Sequence, residues 1–134
     1  GLICLASSFE MISKYADINE IEKLNLVTDN SPTTFIFENP KNISKFILGN
    51  NNSVGFRVPK NNFCIKLIEA FGKPIVSTSA NLSGNKIPLN FNDINPEIKE
   101  NVGYIVELEL AKDCNVSSKI LKYNYENDCF DQLR

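Results

Sequence analysis

The 134-residue chain contains no histidine. That absence excludes Ser-His-Asp and Cys-His nucleophile systems and the common histidine-based metal sites. Any catalysis must rest on carboxylates, lysine, arginine, hydroxyls, backbone amides or a metal that arrives with a substrate. The cysteines, Cys4, Cys64, Cys114 and Cys129, form no C-x-x-C pair, so no protein-bound metal is expected. Cys4 and Cys64 lie in apolar runs, where buried free thiols are common. The opening "GLICLA" is too short for a secretory apolar region and lacks a basic start, so a reduced, cytoplasmic protein is expected. No apolar run approaches the roughly 18 residues of a membrane span, and no membrane partner is expected. A net charge of −2 supplies no global basic field for nucleic acid. The phosphate-cradling pattern G-x-x-x-x-G-K-[ST] is missing too.

What is present fits one domain of 134 residues, long enough to build a core. "LICLA" reads as a buried strand. Ser7 and Ser8 can cap a helix through about Tyr15, with Phe9, Ile12 and Tyr15 inward. "DINEIEKLNLV" reads as a second short helix with Ile18, Ile21 and Leu24 inward, followed by the turn cluster Asp29 to Pro32. "TTFIFE", Thr33 to Glu38, is β-branched and aromatic and predicts a strand. "ISKFIL" predicts a helical turn, and "VGFRVP" a strand closed by Pro59. Asn61 to Gly72 is the clearest helix, with a stripe of Phe63, Leu67, Ala70 and Phe71 and a glycine cap. "PIVST" is the next strand. Pro96 to Asn101 predicts a short helix, Tyr104 to Leu110 a strand, and "VSSKILKYN" with "CFDQL" a pair of strands. Strands alternating with helices make the class α/β, with a mixed sheet.

Three groups of residues carry candidate chemistry. Ser77 and Thr78 end the strand "PIVST", where alternation sends Ser77 and Ser79 to one face and Thr78 to the other, and Ser79, Asn81 and Ser83 run on into Gly84. Small residues let a ligand approach the backbone, and hydroxyl and carboxamide groups both donate and accept. Tight-turn amides can form an anion nest, and a phosphate or adenylate suits that chemistry. A Ser/Asn-rich turn that merely caps the next segment explains the same composition, and composition alone favours it. Arg57 lies among apolar strand residues. Buried, it requires an anion or carboxylate partner; exposed on an edge strand, it requires none. Thr33 and Thr34 open a strand, where threonine is favoured in any case. The scattered glutamates form no acid/base pair.

The order "SPTTFIFE", "SVGFRVPKN" and "FGKPIVSTSANLSGNKIP" resembles the family of threonylcarbamoyl-AMP synthases, the YrdC/Sua5 family. Pro74 to Gly84 is similar to its signature P-[LIV]-x-[ST]-T-S-A-N-x-S-G, and Arg57 to Pro59 to its R-V-P. "SPTT" resembles its P-G-P-x-T segment with Thr34 in the threonine's place. "SSKIL" stands where the family has S-T-[IV]-[IV]-D, and the terminal "LR" resembles its L-R-x-G. The resemblance implies a twisted α/β mixed sheet with flanking helices and a concave nucleotide-binding pocket. It implies synthesis of threonylcarbamoyl adenylate from ATP, L-threonine and bicarbonate, with Mg²⁺ accompanying ATP and pyrophosphate released. The product serves t6A formation at position 37 of tRNA, completed by a separate transferase complex. On this resemblance Ser77, Thr78, Ser79, Asn81 and Ser83, with Thr34 and Ser118, contact nucleotide or substrate, and Arg57 and Arg134 meet anionic groups. No catalytic residue is assigned, because adenylate formation needs no enzyme nucleophile.

The chain departs from the family in three places. The P-G-P turn lacks its glycine, Lys119 replaces a threonine, and the family's opening T-x-T-x-Y-G-L strand and K-x-R pair have no counterpart before "GLICLA". The YrdC-like domain, 1–134, is therefore expected to be N-terminally incomplete, with an open sheet edge that favours self-association. Two alternatives remain. One is a carbamoyl-transfer domain related to hydrogenase maturation. The other is a non-catalytic nucleotide- or RNA-binding module, whose binding would be strongly salt-dependent.

Overall fold

The computed structural model describes residues 2–18, 24, 31–114 and 117–134. The chain divides into two compact units, Gly1–Ser77 with Ser118–Arg134, and Thr78–Ser117.

The first unit is built on a six-stranded mixed sheet in the order β4-β1-β3-β2-β5-β6. Its strands are β1 (Ile3–Leu5), β2 (Thr33–Glu38), β3 (Ser53–Arg57), β4 (Ile75–Ser77), β5 (Lys119–Asn124) and β6 (Cys129–Gln132). β1 runs parallel to β3 and β2 parallel to β5, while the pairs β1–β4, β2–β3 and β5–β6 are antiparallel. Strand alternation separates two faces. Cys4, Val54, Phe56, Phe35, Phe37, Leu121 and Tyr123 all point to one face and are buried. Register carries this across strands: Cys4 is level with Phe56, Phe56 with Phe35, and Phe35 with Leu121. Edge-to-face rings, such as Phe35 with Phe9 and Phe130, fill the layer. Ala6, Ile12, Ala16 and Leu24 close the core from the same side.

The helix α1 (Phe9–Ile12) starts where Ser8 accepts a hydrogen bond from the Met11 amide at 3.1 Å. It is shorter than the predicted run to Tyr15, because the Ser13 hydroxyl turns back onto the Glu10 carbonyl at its end. Phe9 and Tyr15 still pack on the core. Most of the predicted second helix lies outside the described residues, Ile21 included. Leu24 is fully buried, and Ile18 packs against the core.

The helix α2 (Asn62–Phe71) has the predicted ends. Asn61 caps its start, and Gly72 at φ 75° ends it in the left-handed conformation. Its stripe differs from the expected packing. Phe63, Leu67, Ala70 and Phe71 are exposed, Phe71 by 60%, and Ile68 is the buried residue. The sequence between the caps carries two apolar stripes, and Cys64, Ile65 and Ile68 form the more buried one. β4 ends at Ser77, so the alternation expected for Thr78 and Ser79 does not apply to them.

The second unit holds α3 (Pro96–Asn101), capped by Asn95 with proline in its first turn. The predicted strand Tyr104–Leu110 is irregular here, and Tyr104 is 82% exposed. Among the described residues its β propensity has no partner strand to act on, and a strand is stable only when paired. Local bonds organise this unit instead, including Asn90 Nδ2 to Asp113 at 2.9 Å and the Lys99 ammonium over the Phe91 ring. Among the described residues no helix is long and apolar enough to cross a membrane.

Candidate functional site

The second face of the sheet carries the polar groups. Thr34 is the second residue of β2, and Arg57 ends the antiparallel neighbour β3, so the two meet at one end of the sheet. Ser118 precedes β5, which runs parallel to β2, and Arg134 follows β6, the antiparallel partner of β5. Four strands thus bring four predicted residues to one edge, from positions up to 100 residues apart in the chain.

Their contacts are direct. Arg57 donates to Thr34 Oγ1 from Nε at 3.2 Å and from Nη2 at 3.0 Å, and from Nη2 to Ser118 Oγ at 2.9 Å. Thr34 Oγ1 donates to Ser118 Oγ at 3.2 Å. Arg134 donates from Nε and Nη2 to the Ser118 carbonyl at 3.2 and 3.1 Å. Ser118 therefore holds one guanidinium with its hydroxyl and the other with its backbone. The β6 chain end is fixed to β5 by Leu133 N–H to Ile120 O at 2.8 Å and Ile120 N–H to Arg134 O at 2.9 Å. Thr34 is 4% exposed and Ser118 7%.

The electrostatics are one-sided. Among the described residues neither Arg57 nor Arg134 pairs with a carboxylate. Burial first, and the like charge of Arg134 second, push the Arg57 guanidinium below its ordinary value. A partly buried cation facing a second cation gains most from an anion placed between them. Five guanidinium hydrogens per arginine are available, and the contacts above use three of Arg57's and two of Arg134's.

Ser77 shares this face. It pairs with Ile3, and Ile3 pairs with Gly55, two residues before Arg57. At usual strand spacings that sets Ser77 roughly 12 Å from Arg57 across the sheet. Gly55, which sequence reasoning passed over, leaves the floor between them bare. A Cβ there would lie 3.1 Å from the Thr34 methyl and 3.2 Å from Ile3 Cγ2. An isolated glycine within a strand is the signal that could have drawn attention to it.

Thr78, Ser79, Asn81 and Ser83 belong to the second unit. Asn81 organises their loop: Nδ2 donates to the carbonyls of Leu82 at 3.1 Å and Asn85 at 2.9 Å. Among the described residues its buried Oδ1 has no donor, so it is an acceptor left over once the loop is tied. Thr78, Ser79 and Ser83 are exposed. Gly84 takes φ 83°, which closes the turn. Among the described residues no group of three or more acidic or cysteine side chains could hold a metal ion.

Comparison with known proteins gives a consistent result. The threonylcarbamoyl-AMP synthase of Psychromonas ingrahamii is 39% identical over 105 residues, covering 75% of this chain and 55% of the relative. That of Pseudoalteromonas translucida is 32% identical over 115 residues, covering 83% of this chain and 62% of the relative. The chain thus spans somewhat over half the length of these curated relatives. Among solved structures, the H234A/Y235A variant of P. abyssi Sua5 superposes with a TM-score of 0.75 at 25% identity, covering 90% of this chain and 37% of that one. Escherichia coli YciO superposes with a TM-score of 0.65 at 21% identity, covering all of this chain and 65% of that one, a likeness of fold. The sequence profile described as Telomere recombination, that of Sua5, YciO and YrdC, matches residues 1–134, and the chain belongs to this family.

Proposed function

We propose that this chain forms part of an L-threonylcarbamoyladenylate synthase. The threonine amine nitrogen bonds to the bicarbonate carbon, a C–O bond breaks to release water, and a carbamate results. A carbamate oxygen then attacks the α-phosphorus of ATP, an O–P bond forms, and the bond to the β-phosphate oxygen breaks to release pyrophosphate. Mg²⁺ enters with ATP as part of the substrate. No side chain acts as nucleophile, so the lack of histidine is compatible with the reaction. The chain's task is to align the reacting atoms and to offset negative charge.

The observation that carries this reading is the pair Arg57 and Arg134, tied to one serine and facing no carboxylate among the described residues. An oxyanion is the ligand that satisfies two guanidiniums with free hydrogens. L-Threonine supplies a carboxylate and ATP a phosphate. Ser77, Thr78, Ser79, Asn81 and Ser83 are assigned to the nucleotide and the threonylcarbamoyl group, with Asn81 Oδ1 as an acceptor for a ligand N–H or O–H. The product would pass in the cytoplasm to a transferase complex that modifies tRNA.

The test is mass-spectrometric detection of threonylcarbamoyl adenylate after incubation with ATP, Mg²⁺, L-threonine and bicarbonate. A product that vanishes when threonine is omitted supports the reading. A folded sample that forms none removes the claim that these residues suffice for the synthesis.

A further inference from the structure

Gly55 lacks a side chain at the point where two neighbours lean together. Ile3 on β1 and Thr34 on β2 flank it, because β3 lies between those strands. A Cβ at position 55 would stand 3.1 Å from the Thr34 methyl and 3.2 Å from Ile3 Cγ2. Carbon atoms rest against each other at about 3.5–4.0 Å, so both contacts are too short. They also press from opposite sides, and retreat from one closes on the other. The Thr34 methyl is tied to the hydroxyl beside it, since both sit on Cβ and turn together between staggered χ1 positions. In the observed position the hydroxyl meets Arg57 at 3.2 and 3.0 Å and Ser118 at 3.2 Å, while the methyl lies beside Gly55. Phe35 is level with Phe56, so Thr34, one residue earlier, is level with Arg57, two residues after Gly55.

We propose that Gly55 is a positioning residue: the space left by its missing side chain receives the Thr34 methyl, and so holds the Thr34 hydroxyl against the Arg57 guanidinium. Alanine at this position presses the methyl out of that space. A turn of Thr34 to another staggered position carries Oγ1 about 120° away from Arg57. Thr34 is buried, so water has little access to replace the lost hydroxyl. Of the two side chains that held it, the guanidinium then keeps Ser118 alone, through Nη2 at 2.9 Å, and loses its fixed direction. Glycine inside a strand ordinarily costs stability relative to alanine, and a seat for the Thr34 methyl is a reason for glycine here that strand propensity does not supply. The ordering of Arg57 needs no ligand; its value for binding rests on the function proposed above.

The experiment compares the unmutated chain with Gly55→Ala, Thr34→Ser and the two combined. Thr34→Ser keeps the hydroxyl and deletes the methyl, so it removes the crowding without removing the bond. The first readout needs no ligand: water exchange of the Arg57 Nε–H proton, followed by NMR. Gly55→Ala should speed that exchange by about tenfold, the worth of one hydrogen bond. Thr34→Ser should stay within about threefold of the unmutated chain, and the combined variant within about threefold of Thr34→Ser. General damage to the strand by alanine would not be undone by deleting a methyl on its neighbour. Unchanged exchange in Gly55→Ala overturns the proposal, as does a combined variant as fast as Gly55→Ala. Should Gly55→Ala not fold, the unmutated chain decides. Its three-bond couplings to Thr34 Cγ2 must report one χ1 rotamer, with nuclear Overhauser contacts from that methyl to the Gly55 Hα protons; averaged couplings overturn the proposal. The second readout is affinity for L-threonine and for ATP, titrated separately. At least one Kd should rise by about tenfold in Gly55→Ala and return in the combined variant, and unchanged affinity alongside faster exchange overturns the positioning role. If the unmutated chain binds neither ligand, the synthase reading fails, and the Arg57 exchange alone decides for or against Gly55.

Discussion

Replacing Arg57 with lysine keeps the charge and removes the fork, which makes it a sharp test of the site. The guanidinium makes three side-chain bonds, at 3.2, 3.0 and 2.9 Å, and still has Nη1 free. An ammonium is a single point of attachment on a flexible stem. One nitrogen can stand where Nη2 meets both Thr34 and Ser118, but it cannot also supply the Nε bond to Thr34. The folded chain then loses that bond to a buried hydroxyl, at a cost of about 1–3 kcal/mol. Ligand binding loses one charge-assisted contact worth about 1.5–3 kcal/mol, or roughly 10- to 150-fold in Kd. Urea unfolding at constant m-value reads the first effect without any ligand. Calorimetric titration with L-threonine and with ATP reads the second. Arg57→Lys matching the unmutated chain within about 0.3 kcal/mol and about twofold in affinity would refute the reasoning, because charge alone would then account for Arg57.

Three further outcomes follow from burial and backbone geometry. Burial raises the Cys4 thiol above its ordinary value, so the unfolded chain loses that proton first. Stability should therefore fall as pH rises above about 8.5, and Cys4→Ala should flatten that part of the urea-midpoint profile; identical slopes would contradict the burial. Ile68→Ala should cost about 2–4 kcal/mol, whereas Leu67→Ala, one residue earlier on the exposed side of α2, should cost under about 0.5 kcal/mol. Comparable losses in urea would show that the helix presents its other stripe to the sheet. Gly72→Ala meets no atom within 4 Å yet must adopt φ 75°, so its cost, about 1 kcal/mol by thermal unfolding, should be backbone strain alone.

The local features were legible where a single residue type has one strong reason for its position. Ser8, Asn61 and Gly72 mark helix ends as their chemistry requires. The six residues of β2 were readable as a strand from their β-branched and aromatic side chains. Two features were not readable. α2 carries two apolar stripes, and composition cannot say which one meets the sheet. Tyr104 to Leu110 has the composition of a strand, but pairing is a property of the fold, and no strand among the described residues pairs with it. The site lay between these cases. Thr34 read as an ordinary strand threonine, and Arg57 was balanced between solvent and an anion. Their partnership spans 23 residues, and Thr34 reaches Ser118 across 84. Nothing local encodes such distances; the register of β2 with β3 and β5 does.

That register also explains why the site can be strongly cationic inside a marginally stable fold. Desolvating Arg57 near Arg134 opposes folding, and no carboxylate among the described residues offsets it. What retains the charge is a set of neutral acceptors: the Thr34 and Ser118 hydroxyls for one guanidinium and the Ser118 carbonyl for the other. A carboxylate in their place would satisfy the arginines more fully, and would also neutralise the field that the proposed function requires for an anionic ligand. Hydroxyls and a carbonyl orient the guanidiniums while leaving their charge unspent. On the function proposed above, threonine and serine rather than aspartate and glutamate at these positions favour binding over stability, at the end of the sheet where the four strands bring them together.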